Sequence, residues 1–159
     1  MAIQYKERLS AYAVGRRANR EEWNAITRSN QGEAEIGFGV PVMAGTVEHS
    51  CLELDATTGR NVLGITEASA VLPHPGDFYA QYESVAICES GVIGVLLSSN
   101  VTVGQPARYN TTSKTWTSGA QSATIVTIPG AQFDENGASG AVGIVRYRRP
   151  VPSLSVSGA

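Results

Sequence analysis

From Ile36 onward the apolar and polar positions alternate in short runs punctuated by glycine, proline and asparagine. "SCLELDA" places Leu52 and Leu54 on one side of a chain whose other side carries Cys51, Glu53 and Asp55, which is the period of two of a half-buried strand. "IGFGVPVMAG" before it and "NVLGITEASAV" after it predict two more strands. "LPHPGD" predicts a loop, because Pro73 and Pro75 fix their own φ angles and have no ladder donor. "FYAQYESVAICES" and "GVIGVLLSS" read as the next two strands, separated at Ser90-Gly91. "VTVGQPARYN" turns at Gly104-Gln105-Pro106, and Tyr109 and Trp116 then sit either side of a threonine-rich, turn-prone run. "SATIVTIPGAQF" and "AVGIVRYRRPV" read as a closing hairpin around "DENGASG", where Asn136-Gly137 is a favoured turn pair. Short strands at this spacing predict an all-β fold, a small β-barrel or β-sandwich.

The first 31 residues are different in kind. Tyr5, Tyr12, Trp23 and Ile26 are spread among arginines, and Gly15 interrupts any long helix. Such a polar segment with a few bulky anchors buries little of itself and orders against something else. The expectation is an extended N-terminal arm over residues 1–31, with one or two helical turns across Arg17 to Ile26. A β-rich domain over 32–149 and a tail over 150–159 complete the division. Tyrosine, tryptophan and arginine dominate interface hot spots, so Tyr5, Arg8, Tyr12, Arg16, Arg17, Arg20 and Trp23 are the candidate partner-binding residues, with Arg146, Arg148 and Arg149 behind them.

Charge sharpens this division. Residues 1–31 hold six bases against three acids, Gly32 to Val145 hold three bases against eleven acids, and Arg146, Arg148 and Arg149 follow. Basic ends flank an acidic middle, a segregation that can orient a subunit on an oppositely charged neighbour. The chain of 159 residues fits one domain with a real core. No window approaches the roughly 18 to 20 apolar residues of a membrane span, and the N-terminus lacks the apolar stretch of a secretory signal. A soluble chain made in a reducing cytoplasm, with no membrane partner, is expected. Cys51 and Cys88, the two cysteines, are expected as small buried hydrophobes rather than a disulfide.

Catalytic chemistry finds few candidates. His49 and Cys51, two apart on a strand, would share a face, but one pair lacks the remaining ligands of a closed zinc site. His74 lies between two prolines. No serine supplies G-x-S-x-G, and "GFGVPV" lacks the third glycine and the following helix of a dinucleotide fingerprint. The expectation is no enzyme, no cofactor and no metal. Arg16, Arg17 and Arg20 near Tyr12 and Trp23 raise nucleic-acid binding, but the acidic balance, with a pI near 5.7, argues against a dedicated binder.

"IGFGVPVMAG", "VLGITEAS", "GVIGVLLSSNVTVGQPARYN", "IPGAQF" and "GASGAVGIVRY", in this order, resemble the structural cement (head decoration) proteins of tailed bacteriophages, over roughly Ile36 to Tyr147. The matching positions are chiefly architectural, among them Gly37, Phe38 and Gly39, Gly104, Pro106 and Tyr109, and Pro129 and Gly130. The resemblance implies a β-rich virion protein without enzymatic activity that binds the outside of the phage head and clamps neighbouring major capsid protein subunits. It also implies a closed homo-oligomer at local symmetry axes, trimer first and dimer second. Two rival readings are another virion component, such as a tail or fibre module, and a carbohydrate-binding module with Tyr79, Tyr109 and Trp116 as an exposed sugar platform.

Overall fold

The computed structural model describes residues 13–19, 21–56, 61–68 and 76–151. Among these there is no helix, and the chain forms eleven strands. In order they are β1 (Asn24–Asn30), β2 (Ile36–Gly37), β3 (Pro41–Ala44), β4 (Ser50–Glu53), β5 (Val62–Thr66), β6 (Phe78–Tyr79), β7 (Ser84–Leu96), β8 (Pro106–Asn110), β9 (Thr115–Thr117), β10 (Ile125–Phe133) and β11 (Val142–Arg148). Strands β1, β4, β3, β5 and β7 pair in that order, and β7 pairs back onto β1, so five strands close a β-barrel. β11, β10, β8 and β9 continue the sheet from the second half of β7. β9 returns toward that strand through a bridge from Trp116 to Leu97.

β7 therefore belongs to both halves. Its residues 84–90 pair with β1 and its residues 90–96 with β11. The separation expected at Ser90-Gly91 is absent: one strand of 13 residues runs through it. Gly91 marks a crowded crossing rather than a turn, since a Cβ there would lie 2.3 Å from the Trp23 ring. A close approach of a large ring to a backbone is a common reason for glycine inside a strand, and sequence alone does not separate it from a break.

The other edge of β7 explains the first residues. β5 covers Cys88 and Ile87, and the segment 13–18 covers the stretch beyond. Gly15 N donates to Gly94 O at 2.8 Å, Ala18 N to Val92 O at 2.8 Å, and Gly94 N to Arg16 O at 3.0 Å. Ala68 N donates to Gly15 O at 2.7 Å. Buried backbone groups must find such partners, so this segment docks on the edge of β7 through a turn at Gly15 and an antiparallel bridge from Arg17 to Ile93 rather than hanging as a loose arm. The helical turns expected over Arg17 to Ile26 are replaced by this pairing and by β1, because the edge of β7 offers ladder partners that an isolated helical turn lacks. Residues 24–30, at the end of the expected arm, form one wall of the barrel.

A continuous core of valine, isoleucine and aromatic side chains runs through both halves. Trp116 is fully buried, and its indole N–H donates to Gly39 O at 2.7 Å, tying β9 to the turn before β3. Tyr109 opposes it across the β8–β9 pair, with rings 5.6 Å apart and edge-on, a geometry that adds to their burial. Cys51 lies fully buried while Leu52 is half-buried, the reverse of the side assignment expected for "SCLELDA". Leu54 is buried as expected.

Gly15 has φ +73°, and a Cβ there would lie 2.7 Å from Ala68 N. Gly15→Ala is expected to lower unfolding free energy by about 2 kcal/mol or more, combining a left-handed penalty with a backbone clash. Urea unfolding checks this: the midpoint falls with an unchanged slope, and an unchanged midpoint would refute the role of this docked turn in stability.

Candidate functional site: the docked N-terminal segment and the basic C-terminal strand

The ring of Trp23 lies over Gly91 between β1 and β7, and the Arg17 guanidinium stacks on its outer face, 5.2 Å from the ring centroid. Arg17 also donates to the Glu21 carbonyl. A cation over an indole face is attracted by the ring quadrupole, so these two candidate residues fasten the segment to its own domain. Arg16 is exposed beside them. Tyr5, Arg8, Tyr12 and Arg20 lie outside the described residues.

Beside Trp23 sits Glu67, whose Oε1 is buried with no hydrogen-bond partner among the described residues. Burial raises its carboxyl above the usual range, and the Trp23 indole and the Arg17 charge pull it back only in part. Cys88 lies next to the same contact, and burial pushes its thiol up to about 12, while Cys51 in the barrel is pushed up to about 11. Both cysteines are free and buried, as expected.

The C-terminal arginines are largely spent inside the molecule. Arg146 is held in a fork between two carboxylates: its Nε donates to Asp134 Oδ1 at 2.9 Å, and its Nη1 and Nη2 donate to Glu21. That double pairing lowers the Glu21 carboxyl and raises the guanidinium. Arg149 donates to Glu89, which also accepts from Asn24 at 3.0 Å. Arg148 is the exposed one, 4.0 Å from Glu22 and close enough to Glu21 to help lower its carboxyl. The basic C-terminal strand thus staples the acidic end of the N-terminal segment, and sequence reading missed this because the partners are more than a hundred residues apart.

Other expected chemistry separates in space. His49 is exposed on a turn with φ +56° while Cys51 is buried, so they do not share a face. Among the described residues no group of three or more His, Cys, Asp or Glu could hold a metal ion. His74 lies outside the described residues. Two open grooves of about 500 and 530 Å³ flank Arg148, and neither is lined by His49 or Cys51. The sugar platform is overturned: Tyr109 and Trp116 are fully buried and Tyr79 nearly so, each with its polar atom satisfied from within. Aromatic rings that fill a core cannot stack on a ligand.

The family model described as "Structural cement protein (E217 gp24/Pam3 gp6)" matches residues 1–148. The chain belongs to this family of phage structural cement proteins, and so to the structural components of the virion capsid. Among curated proteins nothing matches. Among solved structures, a chain of "The capsid of Myoviridae Phage XM1" is 13% identical with a TM-score of 0.73, covering 95% of this chain and all of its own, and it shares the fold.

Two outcomes follow from the buried groups. At pH 8 the folded protein should leave Ellman's reagent unreacted, and both cysteines should titrate once urea unfolds it; rapid reaction of the native protein would contradict the burial of both thiols. A carboxyl with a higher pKa folded than unfolded contributes stability that is full below its unfolded value and lost as pH rises through its folded value. Glu67→Gln is therefore expected to be more stable than the parent at neutral pH, with a flatter profile from acid to neutral. A less stable variant at neutral pH, by thermal melting, would refute the burial cost assigned to Glu67.

Proposed function

We propose that this protein binds the outer surface of the phage head and stabilises it by bridging major capsid protein subunits, with its N-terminal segment reaching to neighbouring molecules on the shell. Family membership across residues 1–148 carries this reading. The physical logic supports it. A ligand that binds only the expanded shell stabilises that state by mass action, and repetition around a symmetric lattice makes modest contacts collectively strong.

The candidate residues divide into two roles. Arg17 and Trp23 fix the root of the segment on β7, while Tyr5, Arg8, Tyr12, Arg16 and Arg20 are the ones proposed to touch a partner. A rooted segment is the economical design: the strand pairing orders its base, so less entropy remains to be lost when the tip binds. A closed cyclic oligomer on the shell, trimer before dimer, belongs to the same proposal. The capsid likeness favours the head over a tail or fibre position.

Cosedimentation with expanded heads stripped of the protein tests the reading. The full chain is expected to bind and to raise the temperature at which heads release DNA. Tyr5→Ser/Arg8→Gln/Tyr12→Ser should bind at least tenfold more weakly while its far-UV spectrum and melting stay unchanged. Failure of the parent to bind would remove the head reading, and full binding by the variant would move the contact onto the β domain.

A further inference from the structure

Two adjacent residues at the end of β1 gather three loops into one face. Asn30 is fully buried: its Nδ2 donates to Ala34 O at 3.0 Å and to Ala80 O at 3.2 Å, and its Oδ1 accepts from Gly32 N at 3.0 Å. Its own carbonyl accepts from Tyr82 N at 2.7 Å. Gln31 reaches the other way, its Oε1 accepting from Thr46 N at 2.8 Å and from Ser50 Oγ at 3.0 Å. The loops 32–35, 45–50 and 80–83 are thereby clasped around the barrel's end.

What they display faces outward. Tyr82 is 75% exposed and Val47 63%. Tyr82 holds φ +63°, a conformation that is an outlier for a bulky residue and that glycine or asparagine would adopt at less cost. Glu33, Glu35 and Glu48 are exposed around them. No lysine or arginine occurs in residues 29–59 or 61–107, so the loops of this acidic face carry neither. Loops fixed on a rigid scaffold are where binding residues concentrate.

We propose that this loop face seats the N-terminal segment of a neighbouring copy of the chain, with Tyr82 and Val47 receiving Tyr5 or Tyr12 and the three glutamates facing Lys6 and Arg8. Charge complementarity selects the occupant, since residues 1–20 carry five bases against one acid. Reach selects a second copy over the same one. The segment leaves β7 opposite Gly94, ten residues along that strand from Ser84 at the loop face, or about 33 Å. Twelve residues span at most about 40 Å when fully extended, so folding back onto its own molecule would need a nearly taut chain, whereas a neighbour can bring its face to the tip. The inference rests on the shell reading only for its setting, because the contact itself is tested in free protein.

The test is sedimentation velocity of the full chain over a concentration series at low salt, with near-UV spectra to confirm folding. Lys6→Glu/Arg8→Glu, Glu33→Lys/Glu35→Lys/Glu48→Lys and Tyr82→Ser are each expected to weaken self-association at least tenfold, and an equimolar mixture of the two charge-reversed variants to restore it. A monomer at every concentration, or association indifferent to all three changes, would overturn the proposal. So would intact self-association in a loop-face variant that no longer binds stripped heads, an outcome that hands the face to the capsid subunit. Loss of head binding by the parent with self-association as expected would instead leave this contact standing and sink the head reading.

Discussion

A strand shared between two sheets must satisfy its backbone groups on both edges along its whole length, and in this protein that demand falls on β7. One edge is taken first by β1 and then by β11, end to end. The other is taken by β5 near Cys88 and would then lie open beside Ile93 and Gly94. The segment 13–18 closes it. Three glycines make the space: a Cβ on Gly15 would meet Ala68 N, one on Gly39 the Val14 side chain, and one on Gly94 the Ala13 carbonyl. An exposed edge beside valine and isoleucine is an aggregation hazard, so covering it protects the fold as well as rooting the segment.

The electrostatics follow from that placement. Once residues 13–23 lie across β7, Glu21 comes against Arg146 and Trp23 against Gly91. Arg146 then pairs with two carboxylates at the surface, where each pair alone adds little but a bidentate fork gains from its geometry. Glu67, by contrast, is held beside the indole at a desolvation cost. The root is therefore fastened by packing, strand pairing and rim charge together, with one buried carboxyl working against them.

The fold class was legible because most strands announce themselves by alternation, turn residues and β-branched runs. The β10–β11 hairpin and the turn at Gly104 stand where the pattern places them. Three features were not legible. Gly91 looks like a break because local pattern cannot register a tryptophan ring arriving from residue 23. Tyr109 and Trp116 look like surface aromatics because a threonine-rich turn separates them, yet cross-strand register brings them together inside. Arg17 and Trp23 look like free anchors because composition does not reveal an open strand edge elsewhere in the chain. In each case a long-range contact decides what a local signal leaves open.

The geometry also constrains how molecules would join. The root of the segment lies on the second half of β7, and the acidic loop face lies at the strand's opposite end. Contact between these two different surfaces is heterologous, and heterologous contacts close into rings only when the rotation between copies permits; otherwise they run on as open chains. A free subunit has nothing to fix that rotation. A curved, symmetric shell does, because it holds each copy at a set angle and spacing and so converts a weak tip-to-face contact into an intramolecular one of high effective concentration. On this argument the weakness of a short charged segment against a small loop face is suited to its setting: association in free solution rises with concentration and falls with salt, and the lattice completes it.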